Sequence, residues 1–316
     1  MKVETMPQVI SASRRTDIPN HYANWFLQRL EEGYVLVRNV RDFHQVRRVD
    51  LTPQQVACIV FWTKNPTPMM ENLDRLSSYR YLFQFTINPY GTDLEPRIPP
   101  MGEMTDCFRR LADKIGNDRI VWRYDPVLIN KSYPLGYHIE SFAYIARKLD
   151  GYVKRCTFSF LDRYRHHEDQ LQQLEVEQLS EYTINTLARS FSLHATAHGM
   201  QLFTCAEPYD FSRFGISHGA CIDADEIERI SGLSLVQRRA KNQRPHCLCA
   251  PSIDIGMYNT CLNLCTYCYA NHSEKKVHAN YAQARTSSPL QIGTLGKNDT
   301  ISDVTVSPAE PQLSLF

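Results

Sequence analysis

Short apolar runs alternate with amphipathic segments along the first two-thirds of this 316-residue chain. The runs are rich in β-branched and aromatic residues, so each one predicts a β-strand. The predicted strands are Val9–Ser13, Tyr34–Arg38, Ala57–Trp62, Tyr81–Ile87, Ile120–Tyr124, Cys156–Phe160 and Gln201–Cys205. One more strand, Ser252–Ile255, is predicted late in the chain, directly before a group of cysteines.

The segments between the strands carry apolar residues at helical spacing. In the first of them Tyr22, Trp25, Phe26 and Leu30 share one side, and the pattern stops at Gly33, a suitable helix C-cap. The predicted helices are His21–Glu32, Thr105–Ile115, His138–Leu149 and Glu175–Ala197.

Strands that alternate with helices predict an α/β fold with a parallel sheet. We expect a (β/α) barrel, complete or partial and TIM-like, over residues 1–282, and the alternative is an open doubly wound sheet. Residues 283–316 are polar and lose all periodicity, so we expect a disordered tail there.

Polar residues follow nearly every predicted strand. In a β/α barrel the carboxyl ends of the strands meet on one face, where the functional site is built. Polar residues would also be found at strand ends that simply meet solvent. The residues that we expect on a shared rim are Arg14, Arg15, Asp17, Lys64, Arg123, Asp125 and Glu207.

Composition narrows the class of protein. A net charge of +1 gives no overall attraction to nucleic acid or membrane, and no long apolar run predicts a membrane-spanning helix. The first residues lack the apolar core of a signal peptide, so a cytoplasmic protein is expected. Ten cysteines in a reducing compartment then favour metal binding or catalysis over disulfides.

Three of these cysteines, Cys261, Cys265 and Cys268, form a C-x3-C-x2-C pattern, with Tyr267 just before the third. Thiolates are the usual ligands of iron–sulfur clusters. Three protein ligands leave the fourth iron of a cubane open to a small molecule, so the pattern favours chemistry over a structural role.

The segment resembles the cluster loop of radical S-adenosylmethionine (SAM) enzymes, whose signature is C-x3-C-aromatic-C. Those enzymes carry the loop near the N-terminus, whereas this chain carries it near the C-terminus. Together with residues 11–19 at the front and residues 254–261 at the back, this order resembles the domain of unknown function 1848 family (DUF1848) over roughly residues 9–271. It implies a circularly permuted barrel, in which the last strand lies beside the first.

The resemblance implies that Cys261, Cys265 and Cys268 hold a [4Fe-4S] cluster whose open iron binds SAM. Reduction by an electron donor such as flavodoxin or ferredoxin would cleave SAM to a 5′-deoxyadenosyl radical, which abstracts a substrate hydrogen. The candidate cofactor-binding residues are Arg14, Arg15, Asp17, Tyr267 and Asn271. The candidate catalytic residues are Arg123, Asp125, Lys64 and Glu207.

A second group consists of Cys205, Cys221, Cys247 and Cys249. Four thiols outside strand interiors could bind a second [4Fe-4S] cluster or a zinc ion. The alternative is that they are small buried residues without a ligand role. Cys58, Cys107 and Cys156 are predicted to belong to the core.

The chain ends in Gln312-Leu-Ser-Leu-Phe316, which resembles the bacterial sliding-clamp-binding pentapeptide. An apolar tip on a polar tether gains from the local concentration that tethering gives. We therefore expect the DNA polymerase III beta sliding clamp as a partner, and DNA as the substrate. Basic residues that could bind phosphate are Arg38, Arg41, Arg47, Arg48, and the stretches Arg163–His167 and Gln237–Arg244.

The function that these features predict is a radical-SAM enzyme for DNA repair or modification. One alternative is the same chemistry on RNA, a peptide or a metabolite, with no role for the tail. The other is a non-catalytic nucleic-acid-binding protein that zinc or an iron–sulfur cluster stabilises.

Overall fold

The computed structural model of this protein describes residues 7–163, 168–235, 237–241 and 243–304. Its strands are β1 (Gln8–Ala12), β2 (Tyr34–Arg38), β3 (Gln45–Asp50), β4 (Val56–Thr63), β5 (Tyr81–Thr86), β6 (Ile120–Val127), β7 (Arg155–Phe160), β8 (Gln201–Cys205), β9 (Ser217–Gly219), β10 (Ile253–Asp254) and β11 (Thr300–Asp303). Its helices are α1 (Ile18–His21), α2 (Ala23–Glu32), α3 (Thr67–Met70), α4 (Met101–Ile115), α5 (Leu135–Lys148), α6 (Glu168–Gln173), α7 (Glu181–Ala197), α8 (Ala224–Ser231) and α9 (Glu274–Tyr281). None of the helices in these ranges is long and apolar enough to cross a lipid bilayer.

Eight strands form one parallel sheet in the order β10-β1-β4-β5-β6-β7-β8-β9. The α/β prediction is therefore confirmed, and the late strand β10 lies beside β1, as expected. Closure into a barrel is not shown, since no strand pairing joins β9 to β10 in the described ranges. The loops next to these two edges do meet, because the Ala250 N–H donates to the Ile222 carbonyl at 2.9 Å.

Aromatic packing fixes the orientation of β6. Phe142 of α5 stacks on Phe191 of α7 with ring centroids 4.2 Å apart, and both rings lie against Tyr124. Because side chains alternate along a strand, burying Tyr124 against the helices turns Arg123 and Asp125 to the opposite face of the sheet. The helix-facing core thus determines which β6 side chains lie on the face of the sheet opposite the helices.

A smaller sheet lies outside the parallel one. It pairs β2 antiparallel with β3, and β3 parallel with β11. The prediction that Tyr34–Arg38 belongs to the parallel sheet is therefore wrong. Its partner β3 alternates apolar and charged residues, because one face of this small sheet is solvated. The sequence therefore shows no apolar run there, and β3 was not predicted.

The disorder expected from residue 283 is corrected over residues 283–304. Leu290 and Ile292 are buried, the Leu36 N–H donates to the Pro289 carbonyl at 2.9 Å, and β11 pairs with β3. The segment is ordered despite its polar composition, because β11 pairs with the free edge of β3 and because Leu290 and Ile292 are buried. The clamp-like segment Gln312–Phe316 and residues 164–167 of the basic stretch lie outside the described residues.

Two predicted helices have different bounds. The helix predicted over Glu175–Ala197 begins at Glu181, because the Ser180 hydroxyl caps it by accepting the Thr183 N–H. The helix predicted over His21–Glu32 is broken at Tyr22, whose backbone leaves the helical region. The Tyr22 hydroxyl donates to the Thr260 carbonyl at 2.7 Å, so the break ties the N-terminal helices to the cysteine loop.

His138 makes the fold sensitive to acid. Its ring is buried, with Nδ1 2.8 Å from the Tyr124 hydroxyl and Nε2 2.7 Å from the Leu128 carbonyl oxygen. These partners hold the neutral ring, and desolvation lowers the pKa of His138 to about 4.

We predict that stability from His138 is complete above about pH 6.5, the pKa of an unfolded histidine, and is lost as the pH falls toward 4. The unfolded chain takes up a proton in that window while the folded chain does not, which costs about 3 kcal/mol. Urea unfolding of the wild type and His138→Gln at neutral and mildly acidic pH measures this. The variant should lose less stability on acidification, and equal losses would contradict the prediction.

Candidate functional site

A cavity of about 270 Å³ opens at the carboxyl ends of the parallel strands. Its walls include strand-end residues from β1, β4, β6, β7 and β8. All seven cysteines of the two predicted groups line it: Cys205, Cys221, Cys247, Cys249, Cys261, Cys265 and Cys268. The fold therefore brings both groups to one volume, although Cys205 and Cys268 are 63 positions apart in the chain.

The loop with Cys261, Cys265 and Cys268 runs between β10 and α9. Burial raises the pKa of all three thiols, and Cys268 raises the pKa of Cys261 and Cys265 further. The Lys64 ammonium opposes this effect at Cys265 and Cys268. Without a metal the three groups are therefore neutral thiols, and metal binding there must release protons.

The carboxylate of Asp254 holds this loop to the first strand. It accepts hydrogen bonds from the Ser11 hydroxyl at 2.7 Å, the Ser13 hydroxyl at 2.6 Å, and the N–H groups of Arg14 at 2.9 Å and Gly256 at 3.0 Å. Burial alone would raise the pKa of Asp254, but the nearby arginines lower it below its ordinary value. The carboxylate is thus charged and fully partnered.

A buried network, absent from the sequence predictions, stands behind Lys64. Its ammonium lies 2.8 Å from Glu95 Oε1, which also accepts from the Asn88 side chain at 3.1 Å and from the Tyr267 hydroxyl. Glu95 is only 3% exposed. Glu95 lies within the irregular loop between β5 and α4. It belongs to no periodic segment and to no strand end, so the sequence pattern did not select it. The predicted residues Lys64 and Tyr267 are therefore held in place by one carboxylate.

The second cysteine group lies beside buried arginines. Cys205 Sγ and Cys221 Sγ are 2.7 Å apart, and Arg123 Nη1 lies 3.2 Å from Cys221 Sγ. Hydrogen bonding from Cys221 and Cys247 lowers the pKa of Cys249, so Cys249 holds negative charge most readily. Arg123 also pairs with Asp125, which accepts from Ser159 as well.

The thiols do not converge on one metal ion. Among the described residues, no three His, Cys, Asp or Glu side chains are placed to hold a single ion. Two thiolates on one tetrahedral zinc stand roughly 3.8 Å apart, given Zn–S bonds of about 2.3 Å, so Cys205 and Cys221 are too close together for that geometry. Cysteine ligands of a cubane each bind a different iron, and they need no common centre.

Most of the other predicted site residues lie on the cavity wall, including Arg14, Arg15, Asp17 and Tyr267. The Asp17 carboxylate is already occupied, since it accepts from the N–H groups of Asn20 and Lys64 and from the Asn263 side chain. Asp17 therefore shapes the wall more than it offers free ligand atoms.

Glu207 and Asn271 are not part of this wall. Glu207 accepts the Phe160 N–H at 2.8 Å and faces a separate surface groove beside His218, and burial raises its pKa to about 7. Asn271 donates to the Cys261 carbonyl at 2.7 Å, which supports the loop from behind. Glu207 was selected because it follows a strand, and Asn271 because it follows the cysteine motif. Neither position in the sequence determines whether the side chain faces the cavity.

The fold and this site define an α/β protein with one cysteine-lined cavity at the strand carboxyl ends. The chain belongs to the family described as "Domain of unknown function (DUF1848)", whose model matches residues 9–270, so that prediction is confirmed. No curated protein matches the chain. Among solved structures it is similar to a candidate alpha-L-fucosidase from Bacteroides thetaiotaomicron, with 10% identity over 89% of this chain and 98% of that chain. The TM-score of 0.27 is too low to support any argument from it.

Replacing Asp254 with asparagine should loosen the cysteine loop. The new side-chain amide would present an N–H₂ group toward two of the four donors, so about 2 kcal/mol of stability should be lost. Urea unfolding measures this, with Asp303→Asn on the exposed edge strand as the matched control. An Asp254→Asn variant as stable as that control would show that the carboxylate does not hold the loop.

Proposed function

We propose that this protein is a radical-SAM-type iron–sulfur enzyme that acts on DNA. The observation that carries the proposal is that Cys261, Cys265 and Cys268 line one strand-end cavity together with Arg14 and Arg15. The cysteine spacing gives the ligand pattern, and the cavity gives a place for a cofactor and a substrate next to it.

The donor set fits a cluster. Cys261, Cys265 and Cys268 come from one loop and line the same cavity, and each thiolate of a cluster loop binds a separate iron. When bound, a [4Fe-4S] cluster with SAM supplies a 5′-deoxyadenosyl radical that takes a hydrogen atom from the substrate. An electron donor such as flavodoxin or ferredoxin is part of this proposal.

Arg14 and Arg15 are suited to bind the SAM carboxylate. The Nε atoms of both guanidinium groups are buried and make no hydrogen bond among the described residues. Buried donors without acceptors are costly, and an anionic ligand in the cavity would satisfy them. Lys64, held by Glu95, adds a fixed positive charge beside the thiols.

Cys205, Cys221, Cys247 and Cys249 are proposed to hold a second iron–sulfur cluster. Arg123 and Arg244 each direct a guanidinium nitrogen at one of these sulfurs, at 3.2 and 3.9 Å. Hydrogen bonds from cations stabilise anionic sulfur, and such contacts tune cluster potentials. The 2.7 Å between Cys205 and Cys221 is shorter than either a zinc ion or a cubane sets between two ligand sulfurs, so binding of either centre requires these two side chains to separate.

DNA is the proposed substrate because of the clamp-like segment Gln312–Phe316 and the basic residues near the cavity. RNA, a peptide or a metabolite is the alternative if that segment binds no clamp. A non-catalytic zinc-binding protein remains the alternative from another class, and metal content separates it from the enzyme.

Cys265→Ala should abolish 5′-deoxyadenosine formation and remove about four irons per chain, the content of one cubane. The measurement is anaerobic purification with iron and sulfide quantification, followed by incubation with SAM and a reductant. Cys107→Ala, at a core cysteine on α4, is the matched control and should keep both. A colourless, zinc-only wild type that never cleaves SAM would refute the enzyme.

Deleting residues 311–316 should abolish binding to the bacterial sliding clamp while leaving iron content and SAM cleavage unchanged. The segment is expected to act by raising the local concentration of the chain at the clamp, and the cavity residues that the structure describes lie between Ser13 and Ala270. Surface plasmon resonance against immobilised clamp measures binding. If the full chain does not bind, or binds equally well without the segment, the link to DNA through the clamp is lost.

A further inference from the structure

A groove runs from the cavity toward the small sheet. One wall is the β2–β3 hairpin, with Val37, Arg47 and Val49, and the other wall includes Arg14, Arg15 and Asp254. The groove adjoins the cavity, because Arg14, Arg15 and Gln243 line both. We call this surface the hairpin groove.

The hairpin groove carries uncompensated positive charge. Arg38 pairs with Asp299 at 2.7 Å, and Arg14 lies 3.8 Å from Asp254. Arg47 is half-buried on β3 opposite Val37, and it has neither a hydrogen bond nor an ion pair among the described residues. A partly desolvated guanidinium without a partner favours an anion, and its planar donors match phosphate oxygens.

The hairpin tip places apolar groups beside this charge. Phe43 is 60% exposed and Val40 is 45% exposed, and Val40 itself lines the groove. The Arg38 guanidinium lies 4.2 Å from the Phe43 ring, which holds the ring next to the groove. Basic residues along a groove, with an exposed aromatic ring for base stacking, are the combination that binds single-stranded nucleic acid.

We propose that the hairpin groove binds one strand of DNA next to the nucleotide that enters the cavity. Arg47 contacts a backbone phosphate, and Phe43 stacks on a base. A base in a duplex must leave the stack to reach a buried site, so the adjoining strand needs such a surface. This inference rests on the proposed DNA substrate and names the surface that binds it.

The test is fluorescence anisotropy with a short fluorescein-labelled single-stranded DNA and the full, anaerobically purified chain, over a range of KCl concentrations. Arg47→Gln should weaken binding about fivefold and reduce the slope of log affinity against log salt by about 0.7, the value for one phosphate contact. Phe43→Ala should weaken binding by about fivefold or more without changing that slope, because stacking releases no counterions. Arg110→Gln, at an exposed arginine on α4, should change neither.

Failure of binding by the wild type, or an Arg47→Gln variant that behaves like Arg110→Gln, would overturn the proposal. Stronger binding to duplex DNA or to RNA of the same sequence would overturn the single-stranded DNA assignment. SAM cleavage measured on the same samples separates the two proposals. Cleavage without DNA binding removes the groove alone, and DNA binding by a chain without a cluster removes the radical chemistry alone.

Discussion

The hydrogen bonds to the Asp254 carboxylate hold the site together. Four donors from two chain segments more than 200 residues apart meet on it, and two of them are the hydroxyls of Ser11 and Ser13. The approach is so close that a Cβ on Gly256 would lie 2.2 Å from Ser13 Oγ. The cysteine loop follows β10 in the chain, yet these hydrogen bonds hold it at the carboxyl end of β1. If the loop followed β1 directly, the chain itself would make this connection.

The cavity gathers buried cations as well as thiols, and the charges divide between the two cysteine groups. Lys64 lies near the first cysteine group and forms an ion pair with Glu95. Arg123 lies beside the second group and forms an ion pair with Asp125. Burying a cation is costly unless a partner compensates it, so each carboxylate makes its cation tolerable. Each cation also acts on a thiol: Lys64 lowers the pKa of Cys265, and Arg123 Nη1 lies 3.2 Å from Cys221 Sγ. Both contacts favour the anionic form of the sulfur, which the proposed metal binding would require.

The pattern of apolar residues predicted the strands that are buried in the core of the parallel sheet. Long apolar runs became β4, β5 and β6, because a parallel sheet covered by helices excludes water from both faces. Strands β3, β9 and β11 were missed, since they are short or alternate with charge and form only through their partners. The same limit applies to the site. The strand-end rule found Lys64 and Arg123, but it also selected Glu207, which lines a separate groove, and it had no means of finding Glu95.

The shared cavity constrains what a second metal centre could do. Cys205, Cys221, Cys247 and Cys249 are each at most 9% exposed, and their open side is the cavity that also receives Cys261, Cys265 and Cys268. The proposed second centre, held by these four thiols, would therefore face the same volume as the first cysteine group, where it could contact the substrate or exchange an electron with it.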